Sequence, residues 1–314
     1  MIYSTDMNRV EYIAAPCKSA LNRVEGMPFR WSLNPYRGCV HGCHYCYARA
    51  THPYLGLNAG EEFSTRILVK HNMADVLRRE LGRASWARER VALGTATDAY
   101  QPCEGRFQIT RAILKALLDY RTPVSVVTKS TLVWRDRDLL AALAGLPGTR
   151  VQFTITTLDR GLWKRLEPGT PPPDKRLEIM RRLTEAGVPC AVYVAPVIPG
   201  LTDSEASLAA IAAAARDHGA TALWAGPLRL APLVKEHFFT FLGETMPELL
   251  PRYERAYPRA EAPHTYRAVL DARIGRILDR YGFERTGAKS KDEDRDADRA
   301  KPESASRGQL SLPL

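Results

Sequence analysis

The chain has 314 residues, 45% of them hydrophobic and 25% charged. That is an ordinary globular balance at a length suiting one large α/β domain or two smaller ones. No apolar run approaches the roughly 18 residues of a membrane helix, which excludes a helical membrane span. The N-terminal stretch MIYSTDMNRVEYIAAP carries scattered charges and no apolar core, so a secretory leader is not expected and a cytoplasmic location is. Lys and Arg outnumber Asp and Glu by 45 to 35, a formal +10. Residues 286–314 hold equal numbers of each sign, so the excess falls on the rest of the chain, where it is compatible with an anionic partner such as nucleic acid.

In chain order, RWSLNPYRG reads as a first strand feeding a cysteine-rich loop, with YARATHPYL as its following helix and TRILVK with MADVLRREL as an additional strand–helix pair. From residue 90 onward, short β-rich runs alternate with helical patterns. VALGTA precedes ITRAILKALLDY, PVSVVTK precedes RDLLAALAGL, and VQFTITTL precedes DKRLEIMRRLTEAG. PCAVYVAPVI precedes DSEASLAAIAAAARDHG, which Asp203 is placed to cap, and ALWAGPL follows. Strand and helix repeated with short connections predict a parallel sheet with helices packed outside it. About six such units point to a partial or full β/α barrel with active loops at the strand C-termini, and an open doubly wound sheet is the competing topology. After Pro232 the pattern is helical only, and 288–314 is charged and aromatic-free, as disordered segments are. The expected divisions are an N-terminal extension (1–29), a core (30–232), a helical C-terminal extension (233–287) and a disordered tail (288–314).

The stretch NPYRGCVHGCHYCYAR places Cys39, Cys43 and Cys46 three and then two residues apart, with no fourth cysteine nearby. Thiolates select zinc or iron–sulfur centres. A structural zinc site wants four ligands, commonly from paired CxxC units, and His41 or His44 could supply the fourth. No second CxxC exists in the chain, and Cys17, Cys103 and Cys190 are isolated. Three ligands on one loop can instead grip three irons of a cubane cluster and leave the fourth iron open to a small chelating molecule. Both readings stand on the residues alone.

The loop resembles the radical S-adenosylmethionine (SAM) motif CxxxCx(aromatic)C. Asn34-Pro35-Tyr36-Arg37-Gly38 before it, Tyr47-Ala48 after it and the stretch Thr97-Asp98-Ala99-Tyr100-Gln101-Pro102-Cys103-Glu104 are similar to the spore photoproduct lyase-like branch, as are VVTKS and LEPGTPPPDKRLEIMRRLTEAGVP. The likeness covers roughly residues 30–230. It implies a partial (β/α)6 TIM-like barrel with a helical C-terminal extension, a [4Fe-4S] cluster on Cys39, Cys43 and Cys46, and SAM as second cofactor. It also implies a reducing partner such as flavodoxin or ferredoxin. The implied reaction is one-electron cleavage of SAM, followed by hydrogen abstraction from a substrate by the 5′-deoxyadenosyl radical.

Carried over by position, the resemblance makes Thr97 and Asp98 contacts to the SAM amino group. It sets Tyr45 beside the bound molecule, Lys129 on the carboxylate, and Thr128 and Ser130 near the ribose. Thr154 and Thr156 share a face pointing into the barrel, and Ile198 lies in the element that packs on adenine. Arg176 has two open roles, an ion pair with Glu167 or the SAM carboxylate. Spore photoproduct lyases repair a thymine dimer with a hydrogen-returning cysteine just before the matching Thr-Asp stretch. Thr95 stands there instead, which argues against dimer repair and leaves Cys103 as the nearest thiol and candidate catalytic residue. A nucleic-acid substrate stays compatible with the charge. No cysteine follows Cys190, unlike the peptide-modifying members with auxiliary clusters. A non-catalytic zinc-binding module that binds nucleic acid is the alternative function.

Overall fold

The computed structural model describes residues 10–284. The expected disordered tail (288–314), the last residues of the helical extension and the first nine residues lie outside that range. Ten strands occur in the described chain: β1 (Glu11–Ala14), β2 (Asn22–Arg23), β3 (Trp31–Leu33), β4 (Tyr36–Arg37), β5 (Arg66–Val69), β6 (Val91–Leu93), β7 (Val124–Thr128), β8 (Arg150–Thr154), β9 (Cys190–Val197) and β10 (Ala222–Pro227). Seven of them make one sheet in the order β10-β9-β8-β7-β6-β3-β2. From β3 to β10 every pairing is parallel; only β2 runs antiparallel, at the edge beside β3. Six parallel strands in sequential order, with unpaired edges at β2 and β10, form a partial barrel.

Val91-Ala92-Leu93 is buried throughout, as parallel strands covered on both faces require. The helices Ile109–Asp119, Pro173–Glu185 and Glu205–Asp217 cover the outside with buried stripes such as Leu177, Met180 and Leu183. Ser204, and not Asp203, caps the last of these, its Oγ accepting from the Ser207 N–H. Asp203 instead accepts from the Gly200 N–H and the Tyr266 hydroxyl, which ties the end of β9 to the C-terminal helices.

TRILVK and MADVLRREL form the additional strand and helix, β5 and Met73–Leu81; β5 pairs with β1 and β4 in a separate three-stranded sheet. One early expectation is corrected. YARATHPYL forms two short 3-10 turns, Tyr47–Thr51 and Pro53–Leu55, in place of an α-helix. The C-terminal part is helical: Pro232–Thr245, Leu250–Ala256 and His264–Arg280. The first of these buries Val234, Phe238, Phe241 and Leu242 in one cluster with Cys43, Tyr45, Leu166 and Ile198. The last adds Leu270, Ile277 and Leu278 to the main core under the sheet.

Candidate functional site

The cysteine loop leaves the C-terminal end of β3, the end at which parallel β/α sheets present their active loops. Gly38 starts it at φ +79°, and a Cβ there would meet the Phe63 carbonyl at 2.9 Å and the Arg66 carbonyl at 3.0 Å. Three neighbouring segments then hold it. The Cys39 N–H donates to the Phe63 carbonyl at 2.9 Å, the His44 N–H to Leu166 at 3.1 Å, and the Gly169 N–H to the His41 carbonyl at 3.1 Å. Gly169 lies so close that a Cβ would come within 2.4 Å of the Val40 carbonyl.

Cys39 and Cys43 are buried and Cys46 is partly exposed. Burial pushes the Cys39 thiol well up, reinforced by Asp98, Cys43 and Cys46, so the three sulfurs share one electrostatic neighbourhood. Burial likewise takes Cys43 up to about 12 against the opposing pull of Lys129. Among the described residues no three His, Cys, Asp or Glu side chains converge on a single-ion position. Neither loop histidine turns toward the cysteines as a fourth ligand. His41 Nδ1 lies 3.3 Å from Asp98 Oδ2, and His44 Nδ1 lies 3.2 Å from His237 Nε2 with its ring stacked on Phe241 at 4.0 Å.

The residues expected at the end of β6 serve the loop itself. The Thr97 hydroxyl donates to the Gly38 carbonyl at 2.6 Å, and Gln101 donates to the same carbonyl while its Oε1 accepts from the Val40 N–H. Asp98 accepts from the Thr128 hydroxyl (2.7 Å), the Lys129 N–H (2.7 Å) and the Tyr100 N–H (2.8 Å), besides facing His41. Burial alone would raise its pKa; His41 and these donors outweigh it and bring Asp98 down to about 2. Both carboxylate oxygens are thus engaged within the chain.

A second constellation lies beside Cys43. Glu167, wholly buried, accepts from Tyr45, from the Thr156 hydroxyl at 2.9 Å and from Arg176 Nη2 at 2.5 Å. Arg176 also donates to the Pro171 and Thr154 carbonyls, and its ion pair with Glu167 is formed. Lys129 Nζ sits 5.6 Å from the Tyr45 ring centroid; burial works against its charge, and Cys43 and Glu167 outweigh it and raise its pKa. Thr154 is buried beside this group, and Ile198 donates its N–H to Thr202 within the Cys43 cluster.

Ser130 accepts from the Leu132 N–H and, alone of the expected residues, lines a groove of about 520 Å3 whose walls include His41, Tyr100, Thr131 and Thr170. Cys103 stands apart. It is 4% exposed in the main core, where burial, then Glu104, pushes its thiol up to about 12. Sequence reasoning assigned no role to Arg49, His237 and Phe241. Arg49 lies three residues past Cys46, while His237 and Phe241 lie 191 and 195 positions past it, where no local pattern links them to the loop.

Residues 33–210 match the profile of the Radical SAM superfamily. The chain is 42% identical over 269 residues to the uncharacterized protein Rv2578c of Mycobacterium tuberculosis (strain ATCC 25618 / H37Rv), covering 84% of this chain and 79% of that one. It is 31% identical over 198 residues to the uncharacterized protein MJ0683 of Methanocaldococcus jannaschii, covering 63% and 72%. Among solved structures, a cysteine-to-serine variant of spore photoproduct lyase shares the fold with a TM-score of 0.64 at 19% identity, over 86% of this chain and 79% of that one. A second structure of that lyase, with bound AdoMet and dinucleoside spore photoproduct, gives 0.62 at 18% identity over the same shares. With a match that spans more than half its length, this chain belongs to the radical SAM superfamily, enzymes that use SAM and an iron–sulfur cluster.

Proposed function

We propose that the chain holds a [4Fe-4S] cluster on Cys39, Cys43 and Cys46 and cleaves SAM reductively at its open iron to start hydrogen abstraction from a substrate. One observation carries this reading. Three cysteines share one clamped, largely buried loop beyond the C-terminal end of β3, while both histidines that could complete a zinc tetrahedron are turned onto Asp98 and His237. Three loop thiolates whose neighbouring histidines are already engaged suit three corners of a cubane with one iron left open better than a four-ligand zinc site. The cluster would supply one-electron reduction of the sulfonium.

The chain's own residues would do the positioning. Thr97, Gln101 and Asp98 keep the loop in register with β6 and β7, while Tyr45 and Lys129 present a ring face and a cation beside Cys43 for an anionic or adenine-bearing ligand. Thr128, Ser130, Thr154, Thr156, Arg176 and Ile198 build the surrounding wall, and residues 30–232 form the catalytic core that carries it.

For the substrate we favour a nucleic acid, acted on in the cytoplasm with a flavodoxin- or ferredoxin-like reductant. The formal +10 charge supports an anionic partner, and a dinucleoside is bound in one lyase structure of the same fold. Cys103, sealed in the core, is not favoured as the hydrogen donor.

The test is anaerobic reconstitution with iron and sulfide, dithionite reduction, and electron spin resonance before and after SAM, with chromatography for 5′-deoxyadenosine. A four-iron signal that shifts with SAM, together with 5′-deoxyadenosine, is expected. A colourless protein holding one zinc and cleaving no SAM would overturn the reading. Salt-dependent binding of short oligonucleotides tests the substrate class.

A further inference from the structure

Arg49 follows the third cysteine by three residues, on the turn Tyr47–Thr51, and is only 2% exposed. Its guanidinium donates to the Cys43 carbonyl at 3.0 Å and the Gly42 carbonyl at 2.8 Å, both within the cysteine loop. On the other side it donates to the Ala59 carbonyl at 3.0 Å and the Gly60 carbonyl at 2.6 Å, with the Phe63 ring centroid 4.9 Å away. Every one of these acceptors is a neutral backbone carbonyl. Among the described residues no carboxylate pairs with it, whereas Arg176, buried to the same degree, has Glu167 at 2.5 Å.

A buried cation without an anion is unfavourable, because desolvation of the charge goes uncompensated. Burial works against the guanidinium charge, and two of its four hydrogen bonds fix it on the backbone of the cysteine loop itself, at Gly42 and Cys43. The anion this site provides for is therefore the one the three cysteines carry.

We propose that Arg49 is a positioning residue that serves as the buried counter-charge of the iron–sulfur cluster and raises its reduction potential. The inference rests on the functional reading above. When one electron passes from an external reductant to the cluster, the cluster gains one unit of negative charge and no proton moves. A fixed positive charge held by carbonyls inside the same loop favours that more negative state. Its four hydrogen bonds keep the charge from swinging toward solvent.

The experiment uses the full chain reconstituted anaerobically, with wild type, Arg49→Lys and Arg49→Gln compared. Iron and sulfide content and the midpoint potential are read by electron spin resonance during a redox titration, independently of SAM cleavage. Arg49→Gln is expected to load a cluster whose reduced-to-oxidised ratio at fixed potential is lower by about tenfold, equivalent to about 59 mV for a one-electron couple. Arg49→Lys keeps the charge and is expected to stay closer to wild type. Equal potentials in wild type and Arg49→Gln would overturn the proposal. So would a failure of both variants to take up iron while keeping wild-type circular dichroism, because the hydrogen-bonding fork would then be the whole role. A wild-type chain that takes up no cluster would instead remove the functional reading itself.

Discussion

Glu167 and Arg176 form a wholly buried ion pair at 2.5 Å directly beside the cysteine loop, nine positions apart in sequence across the connection between the helices Arg160–Leu166 and Pro173–Glu185. Burial alone would raise the Glu167 pKa. The charges of Arg176 and Lys129 and the bond from Tyr45 outweigh it and bring the value down from 4.5 to about 2. Between those values the unfolded chain binds more protons than the folded one. The pair's contribution to stability is therefore complete above pH about 4.5 and is lost as the pH falls toward 2. Denaturant titrations across that range should show the loss in wild type and a flatter profile in Glu167→Gln. Near neutral pH, Arg176→Met should destabilise by about 3–5 kcal/mol, because it strands a buried carboxylate. A wild-type stability in Arg176→Met would refute the role given to the pair.

Substituting Cys39, Cys43 or Cys46 by serine, one at a time, should abolish stable iron loading and 5′-deoxyadenosine formation. Iron and sulfide analysis with visible absorbance after anaerobic reconstitution checks this. Any one variant that keeps full loading and SAM cleavage removes that cysteine from the ligand set.

Gly169 touches the loop backbone where no side chain fits, with the Val40 carbonyl at 2.4 Å from a Cβ. Gly169→Ala must push residues 40–41 away, so iron loading should fall severalfold while far-ultraviolet circular dichroism stays that of wild type. Unchanged loading would show that the loop tolerates displacement.

Phe241 lies on the helix Pro232–Thr245, is 5% exposed and stacks on His44 between the second and third cysteines. Phe241→Ala should cost about 3–5 kcal/mol through the cavity it leaves, and the reconstituted cluster should bleach faster in air. Chemical denaturation and the decay of visible absorbance are the measurements. A variant with wild-type stability and bleaching rate would mean that this helix does not brace the loop.

Cys103→Ala should leave iron loading and reductive SAM cleavage at wild-type levels, since the thiol is sealed in the core and absent from the groove lined by His41 and Ser130. Loss of hydrogen return to a substrate in that variant alone would restore Cys103 as a catalytic residue.

Much of the architecture was legible in the chain. Alternating short apolar runs and helical stripes predicted the six parallel strands, because burial on both faces writes a strand as a continuous apolar run. TRILVK was legible as a strand, but its composition says nothing about which sheet it joins. YARATHPYL looked helical, yet it forms two short 3-10 turns, the second beginning at Pro53, whose missing N–H cannot continue an α-helical ladder.

At the site, the spacing of Cys39, Cys43 and Cys46 was enough to name a thiolate centre, because ligands on one loop are local in sequence. The partners of that loop are not local. Asp98 and Thr97 carry the polar chemistry expected of a ligand contact, but the fold directs it inward, onto His41 and Gly38. Arg49 reads as one more arginine in a basic chain, and only the carbonyls of Gly42, Cys43, Ala59 and Gly60 converging on it reveal a buried charge without a carboxylate. The sequence by itself determined the chemistry available, through residue type and local spacing. The tertiary structure alone decided which groups are desolvated and which hydrogen bonds are already taken, since both depend on segments far apart in the chain.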